Sequence, residues 1–301
     1  SHRLRPCGAA AVLLLLLTLL SSCGQSAAQD ETATDYNQYI PSHGVTAYTK
    51  DLYIFFDSGR LFYVGRSQPS QLFPLCFQAD CDHKNSSCTA WLNTPSRSIY
   101  AAGDNLYYID ADKDAKPALY RMDLSGGGRE LVKSLNILNE ESWPGISLLG
   151  YSFRVYGSYL AIELNLLQED SWQHKIYLTG IDSKDEGVFL FGEEGDSDKS
   201  YIAIEFRENW LFVTEKNAAD GTNTLWGYNF TTQEAVPLVE GWDISNCFTV
   251  QDGILYWAVT GDGVYSMDME KKSVTKHRSF DPVLEYGAAA YDDQYLYLTN
   301  A

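Results

Sequence analysis

The amino-acid sequence predicts an all-β fold from three observations. Aromatic residues make up 14% of the 301-residue chain, including 21 Tyr and 7 Trp, and aromatic residues favour strands. They stand in short runs with Val, Ile and Thr, bounded by Gly, Asp and Asn, which is the pattern of strands separated by turns. Patterns typical of helices are scarce, whereas a turn followed by leucine and an aromatic residue recurs along most of the chain.

The recurring turn-leucine-aromatic element defines an internal repeat. In one copy, Gly103 and Asp104 form the turn and Leu106 is followed by Tyr107. Copies recur at intervals of 41 to 54 residues, a period typical of repeat folds. Six leucines mark the repeats: Leu52, Leu106, Leu160, Leu211, Leu255 and Leu296.

A second element follows each of the four middle leucines and completes the repeat. It consists of an apolar and an aromatic residue, then three residues, then another apolar residue before a polar turn. The four copies are Leu119–Leu124, Ile176–Ile181, Leu225–Phe230 and Val264–Met269. An apolar run before each leucine and a short run such as Glu130–Val132 supply two further strands. Four antiparallel strands in 40–55 residues predict the blade of a β-propeller, although another all-β array such as a sandwich is an alternative.

The number of leucine anchors predicts at least six blades. The sequence given stops at Ala301, soon after the first strands of the sixth repeat. Either the N-terminal segment completes that blade, or the propeller continues in further sequence. In the second case the exposed strand edge at the end would be prone to pairing with another chain.

The N-terminus has the three parts of a secretory signal. Arg3 and Arg5 form a basic region, residues 9–20 are apolar, and small residues precede Cys23. The apolar run is too short to span a bilayer, which takes about 20 residues. Leu20–Cys23 resembles the lipobox of bacterial lipoproteins, in which the cysteine is acylated. An ordinary signal peptide or a short membrane anchor is the alternative.

The repeated segment resembles the divergent β-propeller found in lipoproteins of Gram-positive bacteria, a family of low-density-lipoprotein-receptor-like propellers and domains of unknown function. The resemblance covers about residues 45–301 and rests on short motifs such as Gly103–Tyr108. We therefore expect a lipoprotein signal peptide at 1–22, a lipidated Cys23 with a flexible tether to residue 44, and a propeller at 45–301. The implied location is the extracytoplasmic face of the cell membrane.

The charge of the chain argues against nucleic acid as a partner. The formal net charge is −18, and removal of residues 1–22, with Arg3 and Arg5, would leave −20. Nucleic-acid binding requires a basic surface. Anionic lipid heads would also repel such a domain, so its attachment to a membrane would depend on the acyl group. The charge mainly indicates solubility, and Ca²⁺ binding by acidic loops is a lesser alternative.

A Cys-rich insertion at residues 74–91 is the densest group of reactive side chains in the chain. Its pattern is C-x4-C-x-H-x4-C, formed by Cys76, Cys81, His83 and Cys88. With Cys247, the mature domain contains four cysteines, which permit up to two disulfides.

Three interpretations of these cysteines remain open from the sequence. A disulfide is favoured, because cysteines outside the membrane usually pair and a loop with little core of its own gains from a covalent link. A Cys3His zinc site is the second, although its spacing matches no standard zinc finger. Free thiols are the third. The alternative for His83 is a solvated loop position, and Cys247 is as compatible with an apolar core position as with a disulfide.

Other chemical motifs are weak. Carboxylates at Asp110, Asp112 and Asp114 resemble half of a calcium loop, but Arg121 stands where the bidentate glutamate is needed. The sequence contains no G-x-S-x-G elbow, no H-E-x-x-H motif and no P-loop. Three tryptophans are candidates for a sugar-binding face: Trp143, Trp172 and Trp242.

These observations favour a non-enzymatic module that binds a protein or carbohydrate at the membrane surface, with no required cofactor. A glycan-active enzyme is the alternative, because propeller enzymes assemble carboxylates from different blades. A scaffold in envelope assembly is a further alternative. All three rest on fold-level analogy, and a fold alone does not determine function.

Overall fold

The computed structural model describes residues 46–92, 98–169, 171–184, 186–192, 198–241, 248–259, 262–279, 286–291 and 296–300. All of them belong to the unit that spans residues 35–301. The predicted signal peptide, Cys23, the tether, Trp242 and Cys247 lie outside the described residues. No helix among the described residues is both long enough and apolar enough to span a bilayer.

The first three repeats each form one antiparallel four-stranded sheet, here called blades 1 to 3. Blade 1 contains β1 (Thr46–Tyr48), β2 (Leu52–Asp57), β3 (Arg60–Gly65) and β4 (Leu72–Pro74). Blade 2 contains β5 (Ile99–Ala102), β6 (Asn105–Ala111), β7 (Pro117–Asp123) and β8 (Glu130–Ser134). Blade 3 contains β9 (Ser147–Tyr156), β10 (Tyr159–Gln168), β11 (Ser171–Gly180) and β12 (Val188–Phe191). Two short 3₁₀ turns, Asn136–Leu138 and Glu140–Ser142, lie between blades 2 and 3.

Blades 4 and 5 repeat the same meander, and blade 6 is described through two strands. Blade 4 contains β13 (Lys199–Arg207), β14 (Trp210–Asn217), β15 (Asn223–Asn229) and β16 (Glu234–Glu240). Blade 5 contains β17 (Phe248–Gln251), β18 (Ile254–Val259), β19 (Gly263–Asp268) and β20 (Ser273–Ser279). Blade 6 contains β21 (Tyr286–Tyr291) and β22 (Leu296–Asn300).

The turn of the sequence repeat is a two-residue hairpin between the first and second strands of a blade. In blade 5, Gln251 pairs with Ile254 across Asp252 and Gly253, whose φ angles are 51° and 72°. Two positive φ angles are the geometry of a type I′ turn, which matches the twist of the flanking strands. The leucine that follows such a turn enters the core: Leu106, Leu160, Leu211 and Leu255 are fully buried.

Consecutive blades pack face to face and share their hydrophobic cores. Leu61 of blade 1 and Leu106 of blade 2 belong to one core cluster, and Ile109 of blade 2 and Phe153 of blade 3 to the next. Two further clusters join blade 3 to blade 4 and blade 4 to blade 5. Burial of these faces supplies most of the stabilising free energy of such a fold.

The order of the strands within each blade completes the architecture. The first strands of blades 1 to 4 are neighbours in space, whereas the fourth strands, such as β20, are largely exposed. First strands are therefore innermost and fourth strands outermost, as in a β-propeller. The predicted all-β propeller of four-stranded blades is confirmed.

Candidate metal centre

Three cysteines and one histidine of the Cys-rich segment meet at one point. The sulfur atoms of Cys76, Cys81 and Cys88 and a ring nitrogen of His83 all lie within 4.8 Å of one another. Cys88 is buried, and the other three side chains are partly exposed. All three cysteines carry free thiols in the structure, so a disulfide among them stays a prediction. The structure thus brings together four of the five predicted disulfide or metal candidates, and the fifth, Cys247, lies outside its described part.

Tight turns fold the segment back on itself and place these residues together. The Cys81 N–H donates to the Gln78 carbonyl at 3.4 Å, and the Cys88 N–H donates to the Asn85 carbonyl at 3.0 Å. The Asn85 side chain accepts a 3.0 Å hydrogen bond from the Ser87 N–H, which is an Asx turn. The polar residues between the cysteines therefore serve to shape the chain.

His83 is held between two of the sulfur atoms. Its backbone N–H donates to Cys81 Sγ at 3.4 Å, and its ring Nδ1 lies 3.4 Å from Cys88 Sγ. Its φ of 56° is left-handed, a conformation that costs a non-glycine residue about 1–2 kcal/mol. Its carbonyl accepts a 3.1 Å hydrogen bond from Arg60 Nη1. Backbone strain of this kind persists where surrounding contacts impose it.

The end of the segment is attached to blade 1. The N–H of Leu61 in β3 donates to the Ala90 carbonyl at 2.8 Å, and the Leu92 N–H donates to the Gly59 carbonyl at 3.0 Å. Trp91 forms an isolated antiparallel bridge with Arg60. The chain after Cys88 is therefore fixed by backbone hydrogen bonds beside β3.

The segment is also attached to blade 2. Arg129, just before β8, donates from Nη1 to the Trp91 carbonyl at 3.1 Å. Gly126, in the turn between β7 and β8, lies so close to Leu75 that an added Cβ would stand 2.5 Å from the Leu75 carbonyl oxygen. The cluster thus lies where the segment contacts both blades.

The Cys-rich segment contributes side chains to the core of its neighbours rather than forming a core of its own. Leu75, Cys88, Ala90 and Leu92 are each at most 2% exposed, and they belong to the core shared by blades 1 and 2. The spacing of apolar residues in the Cys-rich segment does not indicate a buried face. The apolar partners come from the neighbouring blades, so the sequence of the segment could not reveal them.

The thiols of Cys76 and Cys88 differ in their readiness to ionise. Burial raises the pKa of the Cys88 thiol to about 12, and a neighbouring Cys76 charge opposes its ionisation further. Burial also raises the pKa of Cys76, but hydrogen bonds from the Thr89 side chain and the Gln78 backbone outweigh that effect and lower it to about 6. The first thiolate therefore forms easily at Cys76. Its negative charge then opposes the formation of a second thiolate at Cys88.

This difference gives a pH-dependent reactivity in the metal-free, reduced protein. Because the thiolate is the reactive form, we expect iodoacetamide to modify Cys76 before Cys88, with a rate that rises through pH 6. Cys88 should remain unmodified at pH 8. Brief alkylation between pH 5 and pH 9 in a chelator, followed by peptide mass mapping, measures both. Equal labelling of the two cysteines at pH 7 would contradict the expectation.

The donor set determines what the cluster can do chemically. Three sulfurs and one imidazole suit a soft or borderline cation in tetrahedral coordination, above all Zn²⁺. They do not suit Ca²⁺ or Mg²⁺, which require oxygen ligands. Two of the sulfurs could instead form a disulfide.

A buried ion pair beside the cluster was missed at the sequence level. Asp110 Oδ2 accepts a 2.5 Å hydrogen bond from Arg129 Nη2, and the Asp110 side chain is 0% exposed. The Arg129 guanidinium also lies 5.0 Å from the centre of the Tyr120 ring. The Asp110 carboxylate is therefore part of a buried ion pair in blade 2. This contact does not support the interpretation of Asp110, Asp112 and Asp114 as half of a calcium loop. No sequence pattern links Asp110 to Arg129.

The predicted sugar-binding tryptophans differ in exposure. Trp172 is 56% exposed, so its ring is available to a ligand. Trp143 is partly buried, and its Nε1 donates to the Ile137 carbonyl at 2.7 Å. Trp143 thus has a structural contact of its own.

Comparison with known proteins gives similarity of fold only. No protein-family model matches the chain, and no curated protein matches it in sequence. An oligogalacturonate lyase in complex with manganese is 13% identical, with a TM-score of 0.46 over 78% of this chain and 64% of that chain. This chain thus spans slightly less than two thirds of the lyase.

Two further solved structures have similar scores. A protein described as TolB from Agrobacterium tumefaciens is 13% identical, with a TM-score of 0.44 over 77% of this chain and 79% of that chain. A chain of a nidogen/laminin complex is 14% identical, with a TM-score of 0.43 over 83% of this chain and 85% of that chain. At such identity the metal, substrate and partner named for these proteins carry no implication for this chain.

Proposed function

We propose that this protein is a β-propeller binding module held at the extracytoplasmic face of the cell membrane by a lipid on Cys23. The blades form a rigid support, and a partner binds their outer surface. The anchor follows from the lipobox-like Leu20–Cys23 and the apolar run before it. The polar tether that follows would let the propeller stand clear of the bilayer.

The exposed apolar side chains of blade 3 are the observation that carries the binding proposal. Trp172 and Val188 are each 56% exposed, and Phe189 is 44% exposed. Phe189 also contacts Trp143 and Tyr177, with ring centroids 5.9 and 5.4 Å away. Val188 and Phe189 are adjacent on the outermost strand of blade 3, and Trp172 lies on the neighbouring strand β11, six residues from Leu178, which pairs with Val188. Exposed apolar side chains on the outer part of a blade favour contact with a partner over solvation.

The experiment compares the wild type with two variants in cells that make the protein. Cys23→Ser should lose metabolic labelling by a palmitate analogue and leave the membrane fraction. The double variant Trp172→Ser/Val188→Ser should remain in the membrane but lose its cross-linked partner. The measurements are fractionation, lipid labelling, and cross-linking of intact cells followed by mass spectrometry.

Val274→Ser is the matched control, since Val274 in blade 5 is 53% exposed and should keep the cross-linked partner. A Cys23→Ser chain that stays lipid-labelled in the membrane would overturn the anchor. Cross-links that are unchanged in the double variant would overturn the blade 3 surface.

A glycan-active enzyme is the second candidate, favoured by a cavity of about 400 Å³ between blades 4 and 5. Trp210, Asp252, Asp268 and Glu270 line it. However, the ammonium of Lys271 contacts Asp268 and lowers the pKa of that carboxyl. Glycoside hydrolysis needs one carboxylic acid whose pKa is raised. A low pKa suits a base or nucleophile, so hydrolysis in this cavity would require another of its carboxyl groups as the acid.

A further inference from the structure

We propose that Cys76, Cys81, His83 and Cys88 bind one Zn²⁺ ion in tetrahedral coordination, and that this ion fastens the Cys-rich segment across blades 1 and 2. The site is independent of the lipid anchor and of the blade 3 surface. Its role is structural, because four protein ligands complete the coordination and leave no position for a substrate or water.

The distances in the cluster are close to those of a zinc site. Zinc–sulfur bonds of about 2.3 Å and zinc–nitrogen bonds of about 2.0–2.1 Å give tetrahedral edges of roughly 3.8 Å between sulfurs and 3.6 Å between sulfur and nitrogen. His83 Nδ1 already lies 3.4 Å from Cys88 Sγ, and no ligand pair exceeds 4.8 Å. A contraction of about 1 Å or less would complete the site.

The zinc site accounts for all four side chains, whereas a disulfide does not. A disulfide within the segment would join two of Cys76, Cys81 and Cys88 and leave the third thiol and His83 unexplained. The buried Thr89 hydroxyl lies beside the Cys76 sulfur. A metal-bound Cys76 thiolate would strengthen the hydrogen bond that this hydroxyl donates, because hydrogen bonds to a charged acceptor are the stronger ones.

The contacts around the cluster explain why the ion would hold two blades together. Cys76 follows Leu75, which packs on Gly126 of blade 2. The His83 carbonyl accepts a hydrogen bond from Arg60 of blade 1. Between these two attachments the segment is mostly polar turns, so a metal ion in the cluster would add a cross-link to the contacts that Leu75 and Trp91 already make with both blades. Metal binding then contributes directly to the stability of the junction.

The first test measures metal in the full-length chain, purified in detergent without reductant or chelator. We expect one zinc per chain by elemental mass spectrometry, and alkylation of the three cysteines only after a chelator is added. Co²⁺ substituted for zinc should give the intense visible absorption of tetrahedral thiolate coordination.

His83→Asn separates the zinc site from a disulfide. Asparagine tolerates the left-handed backbone of this position, and all three thiols remain. Changes in residues that only orient a ligand already cost about 10–100-fold in metal affinity, so loss of a ligand should weaken Zn²⁺ binding by at least about 100-fold. Lys84→Ala, at an exposed neighbouring residue, should bind Zn²⁺ like the wild type.

Two results would overturn the proposal. One is a wild-type chain without zinc whose mass and peptide map show a disulfide among the three cysteines. The other is a folded His83→Asn variant that binds Zn²⁺ as tightly as the wild type.

The second test concerns the fastening of the two blades. In the chelated, reduced chain, amide hydrogen exchange should accelerate about tenfold or more at Gly59–Leu61 and Ala90–Leu92, and zinc should restore protection. Strand β14 of blade 4 should exchange at an unchanged rate. Acceleration that is equal in β14 and at the junction, or absent from the junction, would refute a fastening role.

Discussion

Replacing Arg129 by methionine is expected to lower the free energy of unfolding by about 3–5 kcal/mol, because the buried Asp110 carboxylate loses its cationic partner and retains the Ala111 N–H, which carries no charge. The Asp110 side chain is 0% exposed and that of Arg129 only 24% exposed. Methionine retains part of the apolar stem but cannot donate to Asp110 or to the Trp91 carbonyl. It also loses the cation–π contacts with Tyr108 and Tyr120. Urea unfolding followed by tryptophan fluorescence measures the change.

A control for this effect lies in the same blade. Arg121 pairs with Glu130, but the two side chains are 38% and 51% exposed. Arg121→Met should therefore cost less than about 1 kcal/mol, as for other solvated ion pairs.

The double variant Asp110→Leu/Arg129→Met tests the physical cause. Removal of both charges should recover most of the lost stability, because no unpaired buried charge remains. If Arg129→Met and Arg121→Met cost the same, the Asp110 carboxylate must obtain solvation from elsewhere and the pair is not essential.

The fold could be predicted from the sequence because its repeat has a local physical cause. A two-residue hairpin needs residues that tolerate positive φ, and Gly103 and Gly157 adopt φ of 56° there. The leucine after the turn points into the core, as the full burial of Leu106 and Leu160 shows. The turn residues and the buried leucine after them are adjacent in the chain, so the repeat can be recognised from the sequence.

The candidate site was only partly predictable. The spacing of Cys76, Cys81, His83 and Cys88 identified the cluster, since these residues are close in sequence. Its attachment to Arg60 and to the turn before β8 depends on how the blades pack. Those contacts join residues 23 to 51 positions apart, and no periodicity links them. The sequence therefore predicted the ligands but not the blades that they join.

The second large effect is expected from Gly126→Ala, which should lower the free energy of unfolding by about 3–4 kcal/mol. The φ of Gly126 is 84°, which costs an L-residue about 1–2 kcal/mol. An added Cβ would also lie 2.5 Å from the Leu75 carbonyl oxygen and 2.8 Å from the Cys76 nitrogen. These are backbone atoms that cannot rotate away, and overpacking of this kind costs about 1–3 kcal/mol more.

Gly103→Ala isolates the two contributions to this loss. Gly103 has a φ of 56° in the same blade, but a Cβ there would meet nothing within 4 Å. It should therefore show the backbone cost alone, about 1–2 kcal/mol. Because the clash at Gly126 displaces the backbone of Cys76, only Gly126→Ala should also weaken Zn²⁺ binding. Equal stability losses and equal zinc affinity in the two variants would mean that the Cys-rich segment moves freely away from blade 2. The inference that the candidate metal centre is attached to that blade would then be wrong.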